Sequence, residues 1–206
     1  MSDSPPFEWL GHQPYESMWQ QLKSRAEAIA SGEADEIIWA CEHEPVYTTG
    51  RRAVDNRQQP TLPAPLIHTD RGGEMTFHGL GQLMLYPLIH LKQRHISPKA
   101  YVHLLEQSSI NLLAELGIVA ERRCGLPGAW TEEGKIAAIG LRIKEGVAYH
   151  GMALNVAVDP QWFAAINPCG TGLKSVSMHA YMDVEPEISG LAERWQHHLS
   201  KLLALN

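Results

Sequence analysis

The segment 129–158 constrains the fold most. Three strand-length apolar pieces, 129–131, 135–143 and 147–158, are divided by Glu132-Glu133-Gly134 and Glu145-Gly146, with no helix-period stretch between them. Acidic-glycine turns between apolar strands read as a β-meander, with glycine supplying positive φ where a turn requires it. Further strand signals fall at 36–41, 45–49, 66–69, 74–78, 82–89 and 118–121. Helical spacing is confined to a few places. Tyr15, Met18, Trp19, Leu22, Ala26 and Ile29 share a face that ends at Gly32. Ser97-Pro98 sets an N-cap and a first-turn proline ahead of Tyr101, Leu104, Leu105, Leu112, Leu113 and Leu116, and Gly117 closes that helix. A short helix is expected over 160–166, and a last one from about Glu187 with Ile188, Leu191, Trp195, Leu199 and Leu202 on one face. Residues 51–65 and 167–172 read as loops. Strands that do not alternate with helices predict an α+β fold, a mixed, largely antiparallel sheet with flanking helices.

Composition removes several classes of function. With 206 residues, 44% hydrophobic and 19% charged, the chain can bury a sizeable core and is expected to form a single domain over 1–206. Its net charge of −6 argues against nucleic acid as a partner, because phosphate neutralisation needs a basic face. No apolar run approaches the length of a membrane span. Residues 1–14 are polar and lack the basic and apolar regions of a signal peptide, so a cytoplasmic protein with no membrane partner is expected.

Three cysteines at irregular spacing, Cys41, Cys124 and Cys169, make neither a disulfide framework nor a C-x-x-C metal site. Cys41 sits in IIWAC and reads as a core thiol. Cys124 follows Arg122-Arg123, whose charge favours a thiolate, but it reads as an ordinary loop residue. Cys169 stands between Pro168 and Gly170, where small neighbours let a substrate approach; residue types alone leave it open between nucleophile and inert thiol. A nucleophilic thiol needs a proton acceptor or counter-charge, for which His43, His78, His90, His103 and His150 are candidates. No histidines show H-x-x-x-H spacing, so no metal is expected. Lys135, at the start of a strand, reads on its own as solvated surface. Arg71-Gly72-Gly73 and His78-Gly79-Leu80-Gly81 match no nucleotide-binding pattern; these glycines either make turns or let backbone approach a ligand.

Four ordered segments resemble the octanoyl-carrier-protein:protein octanoyltransferases, also called lipoyl(octanoyl) transferases. They are EHEPVYTTGR (42–51), RGGEMTFHGLGQLMLYPLIHLK (71–92), GKIAAIGLRI (134–143) with YHGMALNV (149–156), and INPCG (166–170). The likeness spans roughly 36–177; Leu80 departs from it, standing where a proline is usual. The resemblance implies the fold shared by biotin and lipoate protein ligase catalytic domains. It implies that Cys169 carries the acyl group and that Lys135 is its catalytic partner. It assigns substrate binding to Arg71, Gly72, Gly73, Glu74, Met75, Thr76, Phe77 and His78, to Ala138, Ile139 and Gly140, and to Gly151, Met152 and Ala153. The implied enzyme is an acyltransferase opening endogenous protein lipoylation. It moves an octanoyl (or lipoyl) group from acyl carrier protein through a Cys169 thioester to a lysine, without ATP or metal. The implied acceptors are lipoyl domains of 2-oxoacid dehydrogenase E2 subunits and the glycine-cleavage H protein.

On this reading the Lys135 ammonium stabilises the Cys169 thiolate, lowering a thiol pKa that starts near ~8.5. In its neutral form Lys135 takes a proton from the attacking amine, which requires a lysine that starts near ~10.4 to be partly desolvated by neighbours such as Ile136 and Ile139. His78 and His150 either orient groups near the thioester or only pack. Glycines 72, 73, 140 and 151 are expected to leave room for the acyl chain. An acidic carrier protein would meet a basic patch drawn from Arg51, Arg52, Arg57, Arg122, Arg123, Arg142 and Lys144. Three rivals stand beside this reading: an ATP-dependent lipoate or biotin ligase of the same fold, a non-enzymatic module that binds carrier domains, and a hydrolase.

Overall fold

The computed structural model describes residues 4–51, 62–166, 174–182 and 186–205. In chain order the strands and α-helices are β1 (Phe7–Gln13), α1 (Tyr15–Ser31), β2 (Ile37–His43), β3 (Val46–Thr49), β4 (Leu66–His68), β5 (Thr76–His78), β6 (Gln82–His90), α2 (Pro98–Glu115), β7 (Glu121–Arg123), β8 (Leu126–Trp130), β9 (Lys135–Lys144), β10 (Val147–Asn155), α3 (Gln161–Ala164) and α4 (Ile188–Leu203), with a 3-10 turn at Met178–Tyr181 before α4. Seven strands form one sheet in the order β1-β2-β6-β10-β9-β8-β7, and β4-β3-β5 form a second, small sheet. All pairings in the large sheet are antiparallel except β1 with β2. The expected mixed, largely antiparallel α+β architecture is what the chain adopts.

Period-two alternation sorts the central strands between two layers. Leu83, Leu85 and Ile89 of β6 and Ala148, Met152 and Leu154 of β10 face one core, which α2 and α4 complete. Met84, Tyr86 and Leu88, with Val147, Tyr149 and Ala153, face the opposite core against Met18, Leu22, Ala26 and Ile29 of α1. Both faces of the sheet are therefore covered, which is why β6 and β10 are buried at every position. Each fully buried aliphatic side chain contributes about 1.5–3 kcal/mol. The Trp195 indole of α4 is buried and donates to Ser109 Oγ of α2 at 2.8 Å, joining those two helices.

Most boundaries fall where the residues place them. Ser97 Oγ accepts from Ala100 N at 3.2 Å, and Glu145 and Gly146 turn the β9–β10 hairpin with both at positive φ. Two elements differ. The segment expected as a strand at 118–121 is only its last residue: Gly117 N donates to Ala114 O and Ile118 N to Leu113 O, a Schellman ending that spends Ile118 on closing α2. The strand there is β7. The polar start contains an unexpected strand, β1, whose register is interrupted between Trp9 and His12, where Gly11 takes φ 64. No described helix is long and apolar enough to cross a membrane.

Candidate active site

Small residues make a trough on the α1 side of the sheet. Ala138 pairs with Ala153 and Gly140 with Gly151 directly across β9 and β10. The loop 70–75 roofs this trough and is pinned to it, Gly72 N donating to Leu141 O at 2.9 Å. A Cβ on Gly140 would lie 3.1 Å from Gly72 O, and one on Gly72 3.1 Å from Leu141 O. These two glycines therefore serve close approach of loop to strand. Gly151 likewise lets Leu85 O approach, at 1.8 Å from an added Cβ. All of these glycines, with Gly73, also line the cavity between this floor and its roof.

The cavity between floor and roof is lined by Arg71, Gly72, Gly73, Glu74, Met75, Thr76 and His78, by Ala138, Ile139 and Gly140, and by Gly151, Met152 and Ala153. Lys135 also lines it. Phe77 does not: alternation along β5 turns it the other way, buried against Tyr47 and stacked on Trp162 at 4.7 Å. Tyr15, Gln82, Met84, Tyr86, His150, Asn155, Phe163 and Ser175 line the cavity as well. Of these, only His150 is a site candidate on residue type and pattern alone. Gln82, Met84 and Tyr86 were legible in principle, since they alternate along one face of β6.

Arg71 anchors the roof. Its buried guanidinium donates to Thr48 O at 2.7 Å, Thr48 Oγ1 at 2.8 Å, Glu74 O at 2.8 Å and Gly72 O at 3.0 Å. Its charge, behind burial, helps hold the His78 imidazole well below its ordinary pKa. His78 Nδ1 lies 2.8 Å from Gln82 Oε1, and the ring stacks on Tyr15 at 5.5 Å. Burial pushes the Tyr15 phenol up to about 12. Behind them, Tyr86 OH lies 2.7 Å from His43 Nε2, and His43 Nδ1 donates to Gln13 O at 2.6 Å. Burial brings His43 down to about 4, against that backbone bond.

Lys135 opens β9 half-buried, with Nζ 5.0 Å from the Trp130 ring centroid. It is not ordinary solvated surface. Its N–H donates to Lys174 O at 2.9 Å, and its carbonyl accepts from Val176 N at 3.0 Å. Gly134 permits this approach, since a Cβ there would sit 2.5 Å from Lys174 O. Cys169, like the loop 167–172 around it, lies outside the described residues. The flanks of that segment both reach the cavity, through Phe163 before it and Ser175 after it.

The other candidates separate on physical grounds. Cys41 is fully buried, 3.8 Å from His43 Nε2, and burial pushes its thiol well up, so the pair is no nucleophilic dyad. Cys124 is exposed in a turn. Among the described basic candidates, Arg122 pairs with Glu106 and Arg123 with Glu121 at β7, while Lys144 pairs with Glu27 of α1 and lines a second depression together with Arg142. Arg51 sits at the roof loop, its N–H donating to Arg71 O at 3.0 Å, and Arg52 and Arg57 lie outside the described residues.

Residues 14–200 match the family described as the lipoyl protein ligase A/B catalytic domain. An octanoyltransferase of Halorhodospira halophila is 42% identical over 172 residues, covering 83% of this chain and 79% of that protein. An octanoyltransferase of Azoarcus sp. is 40% identical over 196 residues, covering 94% and 86%. A lipoate-protein ligase A solved with ATP superposes with a TM-score of 0.74 at 17% identity, covering 98% of this chain and 86% of that one. The biotin protein ligase of Aquifex aeolicus, in complex with biotin and ATP, gives 0.61 at 11% identity, covering 97% and 70%. The last two are likenesses of fold.

Proposed function

The chain belongs to the lipoyl protein ligase A/B catalytic domain family, among its octanoyltransferases, and on that premise we propose that it moves an octanoyl or lipoyl group from acyl carrier protein to a protein lysine by way of Cys169. The observation that carries this reading is Lys135, placed at an apolar-floored cavity and hydrogen-bonded through its backbone to residues that follow Cys169 closely in the chain.

The cycle closes with Cys169 and Lys135 alone. The thiolate attacks the thioester carbonyl, a C–S bond forms, and the pantetheine C–S bond breaks. The Lys135 ammonium, which favours the thiolate beforehand, gives its proton to the departing pantetheine sulfur. The acceptor lysine then attacks as a neutral amine. A C–N bond forms, the C–S bond to Cys169 breaks, and Lys135 takes the surplus proton, restoring the thiolate–ammonium pair. The amide product lies below the thioester, so no nucleotide is consumed. Arg71 to Thr76, His78, Ala138 to Gly140 and Gly151 to Ala153 hold the acyl portion, with Phe77 bracing them from behind. The acceptors are lipoyl domains of 2-oxoacid dehydrogenase E2 subunits and the glycine-cleavage H protein. The whole chain works as one catalytic domain, in the cytoplasm.

The test is transfer of octanoate from octanoyl-acyl carrier protein to a lipoyl domain, with and without ATP and with free octanoate as the alternative donor. Transfer from the carrier alone, unchanged by ATP, is expected. Modification that requires free octanoate and ATP would assign the protein to the ligases instead.

A further inference from the structure

His78 is held at one ring nitrogen and, among the described residues, has no hydrogen-bond partner at the other. Its Nδ1 meets Gln82 Oε1 at 2.8 Å, Gln82 Nε2 meets Asn155 Oδ1 at 2.8 Å, and Asn155 Nδ2 meets Val176 O at 3.0 Å. The direction of this chain is fixed from its far end. Val176 O can only accept, so Asn155 turns its NH₂ there and its carbonyl toward Gln82. Gln82 then turns its own NH₂ to Asn155, also reaching Phe77 O at 3.4 Å, and its carbonyl to His78. His78 Nδ1 therefore carries the hydrogen, and Nε2 presents a lone pair. No hydrogen bond to Nε2 occurs among the described residues, and the ring lines the cavity.

The chain is built into the frame. Gln82 and Asn155 are cross-strand partners in β6 and β10. The turn between His78 and Gln82 is clamped, with Gly81 N donating to Glu42 Oε1 at 2.8 Å and Gly81 O accepting from Val156 and Ala157. At the other end, Val176 N is bonded to Lys135 O. Two buried amides that only satisfied one another would need neither a histidine at the cavity nor an anchor beside Lys135.

We propose that Gln82 and Asn155 are positioning residues that act through His78: they fix its tautomer so that Nε2 accepts a hydrogen bond from the acceptor-lysine amine as that amine attacks the acyl group. The inference rests on the acyl-enzyme reading above. The proton balance is unchanged, since His78 orients one amine N–H while the surplus proton passes to Lys135. The titratable and charged groups around the ring are Tyr15 of α1, His43 of β2, Arg71 of the roof and His150 of β10. Burial and Arg71 keep it neutral, as an acceptor must be.

The experiment separates the two half-reactions. Acyl-enzyme formation from octanoyl-acyl carrier protein is followed by intact mass, and single-turnover transfer to a lipoyl domain by rapid quench, each across a pH series. Asn155→Ala and Gln82→Met are expected to slow transfer about tenfold or more relative to acylation, the size of one lost hydrogen bond in a transition state. Gln82→Glu keeps an acceptor at Nδ1 but sets a carboxylate there, which favours the imidazolium. Its transfer rate is expected to acquire an acidic limb near or above pH ~6.5 that wild type lacks. Equal slowing of both steps, or a Gln82→Glu profile that matches wild type, would overturn the proposal. If wild type forms no acyl-enzyme, the earlier reading fails; if it does and the variants transfer at wild-type speed, only the positioning role fails.

Discussion

At Asp70 three donors meet one carboxylate. Trp19 Nε1 and His150 Nε2 each approach Oδ1 at 2.9 Å, and Tyr149 OH binds Oδ2. Burial works against the charge, but the bonds from His150 and Tyr149 outweigh it and hold the carboxyl well below the usual range. The clamp has a backbone consequence. His150 sits in β10 at φ 58, a left-handed conformation that costs a non-glycine residue roughly 1–3 kcal/mol unless its surroundings enforce it. Asp70 also precedes Arg71, so the clamp sets where the roof begins. Asp70→Ala is expected to cost about 1–3 kcal/mol, read as a lower urea midpoint, and to slow transfer because the roof loses its hinge. Unaltered transfer would detach Asp70 from the site. On the floor, Ala138→Leu is expected to impair octanoyl transfer more than butyryl transfer, since the added carbons occupy the trough; equal impairment of both donors would place the acyl chain elsewhere. The clamp as a unit was not legible beforehand, although His150 was a candidate. Trp19, Asp70 and the Tyr149-His150 pair are separated by tens of residues, and an aspartate in a loop carries no period.

Among elements, the trustworthy signals were those that repeat. The apolar run 147–158 behind its Glu145-Gly146 turn and the helical spacing through Tyr15 to Ile29 reappear as β10, which ends at Asn155 and is buried on both faces, and as α1, whose period is enforced by burial of one face. Where the period is broken the reading failed. β1 is interrupted at Gly11, and Ile118 is apolar in order to close a helix rather than to enter a sheet. The site divides the same way. Lys135 and the floor were named through a resemblance of motifs, whereas Gln82 and Asn155 matter through a pairing that only topology creates. The junction of β9 with 174–176 is the element on which transfer is expected to depend most. Gly134→Ala places a carbon 2.5 Å from Lys174 O, so transfer is expected to fall about tenfold or more with little loss of helix signal. Trp195→Ala, at the α2–α4 contact and away from the cavity, is expected to do the reverse, costing about 3–5 kcal/mol while the folded fraction keeps its turnover per molecule.

Two buried histidines, His78 and His150, line the cavity, and a third, His43, is buried behind it. His43, His78 and His150 all have depressed pKa values, with burial the leading cause. A histidine that is neutral when folded and protonates near ~6.5 when unfolded makes the unfolded chain the greater proton binder below that pH. Stability is therefore lost as pH falls from the unfolded value toward the folded one. His43, at about 4 when folded, alone is expected to cost about 2 kcal/mol between pH 8 and pH 5. Urea titrations of wild type and His43→Gln at both pH values check this, the variant showing the smaller loss. Whether Cys169 carries the acyl group is decided by intact mass after mixing with octanoyl-acyl carrier protein, without ATP. Wild type is expected to gain one octanoyl group that hydroxylamine releases, Cys169→Ser to gain none under the same mild treatment, and Lys135→Ala to gain it slowly. A wild type that gains nothing while the donor stays intact, or a Cys169→Ser protein that still acquires the hydroxylamine-labile group, would contradict the account.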